Sequence, residues 1–379
     1  MNGDEKTSVV KRQRWLDVAR VLAFASVLMN HALSRSFTTQ KDTLGEFLLL
    51  PKYASAIKAT LYAFSRIGVP LFLMISGTLL IERQYEKPRV LRRFIRHNWW
   101  ELFRTTEIWL VIMFLFLQIF RTSVLRTEGI GKACISFIET LLFINQKTMA
   151  SMWYMSMSLC VYLLIPVFSV ALRNLGDRLL YVLCGIVVFS GMIVPNINTA
   201  LAATGSTFSL NLSFGQYMVF PIYAAYLLCG YWISKGKLAR LNTAIVLLCL
   251  VLCFSATSAF QYWLYSTSSD YYLRYADIGI LASSVFLFEL LRRSERRPQG
   301  KGVLLRGLAD MTFGLYFVHI CVMTGIDSIL DKVLPRLGHF PKLFVLSVST
   351  LMLSVIIVWA TSKIPLFRKY LYLMKDEAR

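Results

Sequence analysis

Residues 15–33 read WLDVARVLAFASVLMNHAL, an apolar stretch close to the roughly 20 residues that a helix needs to cross a bilayer. This stretch nevertheless contains Asp17, Arg20 and His31. On a helix, these three side chains share one face with Phe24. Ionisable groups in hydrocarbon are costly, by roughly 2.5 kcal/mol or more for a central arginine. The shared face therefore predicts a polar cavity rather than contact with lipid.

The composition is that of an integral membrane protein, because 56% of the 379 residues are hydrophobic and only 16% are charged. Apolar stretches near the length of a membrane span recur along almost the whole chain. We count ten of them: Trp15–Leu33, Thr60–Ile81, Trp99–Phe120, Met152–Leu172, Leu179–Val194, Gln216–Ile233, Leu241–Tyr265, Tyr271–Leu291, Met311–Leu330 and Lys342–Thr361. The predicted fold class is all-α, a polytopic membrane protein of about ten transmembrane helices.

The connectors between these spans alternate in lysine and arginine content, as the positive-inside rule requires. The basic ones include residues 6–14, 83–96, 173–178, 235–240, 292–306 and 368–379. By contrast, the 195–215 connector has no charge. We therefore expect both termini in the cytoplasm. The predicted organisation is a cytoplasmic tail over 1–13, one transmembrane domain over 14–363 and a cytoplasmic tail over 364–379.

The net charge of +20 raises the question of a nucleic-acid partner. The basic residues, however, lie in short runs next to the spans, where membrane orientation and anionic lipid explain them. We predict membrane lipid as a partner and no nucleic acid.

The seven cysteines have neither disulfide-framework nor zinc-site spacing. Neither a metal nor a bound cofactor is therefore predicted.

Arg20 and His31 lie at different depths on the first helix. Eleven residues at a rise of about 1.5 Å separate them by about 16 Å, with Arg20 nearer the cytoplasm. Asp17 precedes Arg20 by three residues and can pair with it, which lowers the cost of burying the guanidinium. The simpler alternative is that Arg20 extends to the cytoplasmic headgroups while His31 makes an interhelical hydrogen bond.

Two further spans carry ionisable groups. In the second span, Arg66 precedes Pro70, which is expected to break the helix locally, and Ser76-Gly77, a pair that permits close helix packing. In the ninth span, His319 lies near the middle of the membrane. A structural and a functional role are equally open for His319, because a lone buried histidine often serves packing.

Taken in order, these residues resemble the membrane acyltransferase-3 family, whose members O-acylate sugars of bacterial envelope polysaccharides. Arg20, ten intervening residues and His31 match the family's Arg-x(10)-His signature. Val69–Leu80 is similar to its Val-Pro-Phe-Phe-x-x-Ser-Gly-Tyr/Phe-Leu segment, from which Leu71 and Thr78 depart. The resemblance covers the predicted spans in order, although each motif alone is weak.

Three later segments add to the resemblance. Arg92, Arg93 and Arg96 look like the family's basic cluster after that helix. Trp153-Tyr154, followed by residues 162–166, resembles its Trp-Phe/Tyr and Leu-x-Pro segment. Residues 314–319 match its Ser-Tyr-Gly-x-Tyr-Leu-x-His segment, apart from Thr312-Phe313.

The resemblance implies an acetyltransferase of the bacterial inner membrane. Its donor would be a cytoplasmic acyl-coenzyme A, with acetyl-coenzyme A as co-substrate and succinyl as the other acyl group considered. Its acceptor would be a hydroxyl of a cell-envelope polysaccharide or a lipid-linked glycan. Attack by a sugar hydroxyl benefits from a base, and His31 is the candidate. In a second route, His31 itself carries the acyl group.

Arg20 is assigned to catalysis together with His31, and the remaining candidate residues are assigned to substrate binding. Arg20 and Arg66 can hold substrate or stabilise negative charge on the thioester oxygen, and Asp17 pairs with Arg20. Each arginine of the basic cluster at 92–96 offers a donor to the phosphates of coenzyme A, but topology alone also explains it. Trp153 and Tyr154 can stack on a sugar, although an interfacial position is the simpler interpretation. His319 completes the predicted substrate-binding set.

Two other function classes fit an apolar chain with buried charges. One is a transporter or exporter of a lipid-linked or small polar substrate, in which arginine and histidine bind and couple rather than catalyse. Inverted repeats and broken helices would favour transport, and neither is evident in the sequence. The other is a noncatalytic membrane sensor.

Overall fold

The computed structural model describes residues 12–37, 50–120, 124–144, 152–212, 222–267, 272–295 and 302–374. These residues form helices without a strand, which confirms the all-α class. In chain order the helices are α1 (Arg14–Ser36), α2 (Lys52–Ser65), α3 (Gly68–Leu80), α4 (Pro88–Phe94), α5 (Trp100–Phe120), α6 (Val124–Leu141), α7 (Trp153–Asn174), α8 (Asp177–Val188), α9 (Val194–Ala203), α10 (Ala224–Ser234), α11 (Thr243–Ser266), α12 (Ile278–Ser294), α13 (Val303–Val333), α14 (His339–Thr361) and α15 (Pro365–Tyr370). Single π-helical turns, Ile95–Trp99 and Phe189–Ile193, join α4 to α5 and α8 to α9.

Eight helical segments of the described chain are long and apolar enough to span a membrane. They are α1, α2 with α3, α4 with α5, α7, α8 with α9, α11, α13 and α14. The predicted count of ten is not confirmed, because two predicted spans correspond to the shorter helices α10, of 11 residues, and α12, of 17 residues. The parts of those spans at 216–221 and at 271 lie outside the described residues.

The outer surface of the bundle is apolar, as a lipid-facing surface requires. Leu248 and Leu252 on α11 and Met352 and Ile356 on α14 are all more than half exposed. Exposed apolar side chains at this density belong in hydrocarbon rather than in water. The chain is therefore a multi-pass membrane protein.

The two ends of the described chain lie at the same end of the bundle. Near the start, Arg12 pairs with Asp310 on α13 at 2.9 Å. One turn further along α13, a Cβ added to Gly314 would lie 2.6 Å from the ring of Tyr372, a residue close to the end of the described chain. This agrees with an even number of membrane crossings. The tail residues 1–11 and 375–379 lie outside the described residues.

A break interrupts the second spanning segment near its middle. Helix α2 ends at Ser65 and α3 begins at Gly68, so the chain turns at Arg66-Ile67. The expected break at Pro70 is thus misplaced by a few residues. Pro70 instead lies in the first turn of α3, where its missing N–H removes no intrahelical hydrogen bond.

The first helix stabilises this break through Ser26. The Ser26 hydroxyl donates to the carbonyl oxygen of Phe64 at 2.9 Å and accepts from the backbone N–H of Gly68 at 2.7 Å. One side chain therefore satisfies backbone groups on both sides of the interruption. The helices approach closely here, since a Cβ on Gly68 would lie 2.5 Å from the carbonyl oxygen of Ala23.

Helices α3 and α10 also pack closely, through glycines. A Cβ on Gly77 would lie 1.9 Å from the carbonyl oxygen of Leu227, and one on Gly230 would lie 2.1 Å from that of Met74. Across the same contact, Thr78 Oγ1 donates to the Gly230 carbonyl at 3.0 Å. Gly77 therefore serves helix packing, as small residues commonly do in membrane proteins.

Candidate active site

The ionisable face of α1 points into the bundle. Asp17 is buried, with a side-chain exposure of 5%, and pairs with Arg20 at 2.7 Å, as the three-residue spacing predicts. Arg12 also pairs with Asp17 at 2.7 Å. Burial lowers the pKa of Arg12, but the hydrogen bonds that its guanidinium donates to the carboxylates of Asp17 and Asp310 leave that pKa raised overall. The Asp17 carboxylate thus receives charge-assisted hydrogen bonds from two arginines.

A cavity of about 240 Å³ lies beside Arg20. Helices α1, α3, α5, α7 and α13 contribute to it, and its polar lining consists of Arg20, Ser76, Tyr154, Ser158, Tyr162, Thr312 and Tyr316. Among the described lining residues, Arg20 is the one that carries a charge. The cavity is smaller than the roughly 300–1,000 Å³ of sites for whole drug-sized ligands. It can therefore hold the end of a longer molecule.

The hydroxyl groups of this cavity form a strip along one face of α7. Tyr154, Ser158 and Tyr162 follow one another at intervals of four residues, which places them on the same side of a helix. Tyr162 lies 2.8 Å from the hydroxyl of Ser76 on α3. Ser76 therefore has a place in the cavity, whereas the adjacent Gly77 belongs to a helix contact.

His31 and His319 form a pair. Their ring centroids lie 5.3 Å apart, at an interplanar angle of 50°. His319 is fully buried, and its Nδ1 lies 3.0 Å from the carbonyl oxygen of Leu315. Since a carbonyl only accepts, Nδ1 carries a proton, and in a neutral ring Nε2 is then the unprotonated nitrogen. Nε2 is buried and has no hydrogen-bond partner among the described residues.

The cavity does not reach His31, which is not part of its lining. The prediction that one cavity holds both Arg20 and His31 is therefore wrong for this structure. Aromatic side chains fill the interval: the Tyr154 and Tyr316 rings lie 5.6 Å apart, and the Tyr316 and His319 rings 6.0 Å apart. A continuous series of rings thus leads from the cavity wall to His31.

Arg66 lies at the break between α2 and α3, enclosed by tyrosine rings. Its guanidinium carbon is 4.6 Å from the ring centroid of Tyr62, 5.0 Å from that of Tyr275 and 5.8 Å from that of Tyr272. It also donates a hydrogen bond to the hydroxyl of Tyr62. We refer to Tyr62, Tyr272 and Tyr275 as the tyrosine cage. Distances of this size are typical of cation–π contacts.

Trp153 and Tyr154 lie inside the bundle, which argues against the interfacial interpretation. Tyr154 is 8% exposed and lines the cavity. Trp153 packs 5.1 Å from Tyr275 of the cage and 5.8 Å from Tyr223. The start of α7 therefore lies between the cavity on one side and the cage on the other.

The basic cluster of Arg92, Arg93 and Arg96 is not part of the cavity lining. All three side chains are exposed, at the end of α4 and in the adjoining π-helical turn. They follow α3, whose last turn carries the cavity residue Leu79. They therefore lie outside the protein interior, in the first part of the segment formed by α4 and α5, which follows α3 at the Arg20 end of the bundle.

Comparison with known proteins fits this architecture. A family model described as an acyltransferase domain matches residues 13–359, a range that extends from the start of α1 almost to the end of α14. No curated protein and no solved structure matches the chain. Because the match covers nearly the whole chain, this membrane protein belongs to the acyltransferase-3 family.

Proposed function

We propose that this membrane acyltransferase transfers an acetyl group from acetyl-coenzyme A to a hydroxyl of a cell-envelope polysaccharide or lipid-linked glycan, in a bacterial inner membrane. The observation that carries the proposal is the arrangement of the Arg20 cavity and the His31–His319 pair, joined by Tyr154 and Tyr316. It supplies a charged binding site and a candidate base in a chain of an acyltransferase family.

The donor enters from the basic end of the bundle. Arg20 binds a negatively charged or strongly polar part of the donor. The hydroxyl strip on α7 binds the amide groups of the coenzyme A arm. The exposed arginines at 92, 93 and 96 meet the phosphates outside the membrane. With a volume of about 240 Å³, the cavity takes only the thioester end.

Arg20 acts in binding rather than at the reacting carbonyl. It lies on α1 about 16 Å from His31 by helix rise. Its guanidinium is held by Asp17, on the preceding turn, and therefore points away from His31. Of the two roles expected for Arg20, this arrangement favours holding substrate over stabilising charge on the thioester oxygen.

His31 removes the proton of the acceptor hydroxyl. The hydroxyl oxygen then forms a bond to the thioester carbonyl carbon, the carbon–sulfur bond breaks, and the leaving thiolate takes the proton from His31. The products are an O-acyl sugar and free coenzyme A. For this step the donor thioester must pass Tyr154 and Tyr316, so we expect these rings to move when the donor binds.

A two-step route uses the same residues. In that route, the His31 imidazole attacks the thioester and coenzyme A leaves as the thiol, which gives an acyl-imidazole that the sugar hydroxyl then attacks. Incubation with acetyl-coenzyme A in the absence of acceptor separates the two routes. The two-step route releases about one equivalent of thiol per enzyme and leaves an acetylated His31, whereas the direct route releases none.

Transport is the second candidate, because a helix broken in mid-membrane at a charged residue is typical of transporter sites. Membership of an acyltransferase family outweighs this single feature. Proteoliposomes loaded with labelled acetyl-coenzyme A and polysaccharide distinguish the candidates. A transporter moves label without changing its chemical form, whereas an acyltransferase converts it to O-acetyl ester.

The direct test of the proposed function is the acetyl content of envelope polysaccharide in cells with and without the gene. We expect O-acetyl groups only where the gene is present and only where His31 is intact. Membranes given labelled acetyl-coenzyme A should incorporate label into alkali-labile ester. Equal acetyl content in cells with and without the gene would contradict the proposed acceptor class. A preference for succinyl-coenzyme A would show that the acyl group is succinyl rather than acetyl.

A further inference from the structure

Arg66 is a buried cation without a carboxylate partner among the described residues. The residue is 8% exposed. Tyrosines supply its contacts within that part of the chain: the three cage rings and the hydroxyl group of Tyr62. Its Nε is buried and makes no hydrogen bond to a described residue. A buried charge that the protein itself does not neutralise is costly, and this cost points to a ligand.

The break in the helix adds positive potential at the same place. The amino end of α3 lies two residues after Arg66, and helix amino ends carry a partial positive charge. Interrupted membrane helices use this end to bind anionic groups near the middle of the bilayer. The tyrosine cage adds flat rings with polar hydroxyl groups, a surface suited to the face of a sugar.

The cage lies next to the histidine pair. Ser65, which precedes Arg66, has its hydroxyl 3.5 Å from the side-chain oxygen of Asn30, which precedes His31. A molecule held at Arg66 therefore lies beside the part of α1 that carries His31.

We propose that Arg66 and the tyrosine cage bind an oxyanion of the acceptor, so that the acceptor is an acidic glycan or a lipid-linked one. The shared chemistry is a carboxylate of an acidic sugar or a phosphate of a lipid carrier, either of which accepts charge-assisted hydrogen bonds from the guanidinium. This inference rests on the proposed function, because it names the substrate class of the same site.

Binding of defined probes to the purified full chain tests the proposal without requiring turnover. The anionic probes are methyl glucuronoside and farnesyl diphosphate, and their matched neutral probes are methyl glucoside and farnesol. We expect the intact protein to bind one or both anionic probes, and to bind each neutral counterpart at least tenfold more weakly. The anion that binds identifies the source as sugar carboxylate or carrier phosphate.

Four variants make the test specific to Arg66. Arg66→Gln should raise the dissociation constant for the anionic probe about 10- to 100-fold, because it removes the charge from a charge-assisted hydrogen bond. Arg66→Lys should retain part of the affinity, and Arg336→Gln, a change of an exposed arginine between α13 and α14, should retain all of it. His31→Ala should bind the probe as the intact protein does, while losing acyl transfer.

Equal affinity for anionic and neutral probes, or unchanged anion affinity in Arg66→Gln, would overturn the assignment of Arg66. In that case Arg66 holds the helix break together through Tyr62, and Arg66→Gln lowers the melting temperature alone. Failure of the proposed function gives a different result: the probes bind through Arg66, but acyl transfer does not depend on His31.

Discussion

The rings of His31 and His319 lie 5.3 Å apart, on helices from opposite ends of the chain. The Nδ1 proton of His319 is held by the carbonyl of Leu315, one turn earlier on α13, which leaves Nε2 unprotonated and without a partner in the described structure. A second imidazole of fixed tautomer beside the candidate base is suited to orienting it, as partners of catalytic histidines commonly do. We therefore propose His319 as a positioning residue for His31.

We expect His319→Asn to lower kcat about tenfold or more without changing KM for acetyl-coenzyme A. The reason is that His319 lies beyond the donor cavity, so its loss affects the orientation of His31 and not donor binding. The expected loss is smaller than the 10²- to 10⁴-fold typical of removing a general base. Steady-state kinetics on purified protein measure both constants. A raised KM with unchanged kcat would instead make His319 part of the donor site.

Arg20→Gln should raise KM for acetyl-coenzyme A about 10- to 100-fold, since it removes the charge from the cavity lining. The variant should fold, because Asp17 keeps its ion pair with Arg12. The KM of Arg20→Lys should lie between those of the intact protein and Arg20→Gln. Arg178→Gln, which replaces an exposed arginine at the start of α8, serves as the matched control. If Arg20 only extends to lipid headgroups, Arg20→Gln will have the KM of the control.

Gly77→Ala should lower the melting temperature of the detergent-solubilised protein. The added Cβ would lie 1.9 Å from the Leu227 carbonyl oxygen, so α3 and α10 must separate, and overpacking of this kind costs about 1–3 kcal/mol. Gly185→Ala on α8 is the matched control, because no atom lies within 4 Å of its new Cβ. Equal melting temperatures for the two variants would contradict the close contact between α3 and α10.

Much of the membrane architecture could be predicted because it depends on local composition. Hydrophobic length predicted most of the spanning segments. The arginine and lysine runs predict which connectors share one side of the membrane. The pairing of Asp17 with Arg20 followed from helix geometry alone. The number of spans could not be predicted in the same way, since α10 and α12 are shorter than their apolar stretches. Hydropathy does not indicate where an apolar segment leaves the helical conformation.

The site was only partly predictable because its contacts join distant segments. The spacing of Tyr154, Ser158 and Tyr162 is a helical signal that sequence inspection could have found. The pairing of His31 with His319, and the enclosure of Arg66 by tyrosines from α2 and from residues 272–275, depend on tertiary packing that no local pattern encodes. The bulk of Tyr316, which separates the cavity from His31, was missed for the same reason.

Free thiol released from acetyl-coenzyme A, measured in membranes with and without acceptor glycan, tests the central role of His31 most directly. We expect the intact protein to release thiol in step with O-acetyl ester when acceptor is present. We expect His31→Ala, at equal protein level, to release thiol only at the rate of membranes lacking the protein. Acceptor-dependent thiol release by His31→Ala at the rate of the intact protein would contradict it.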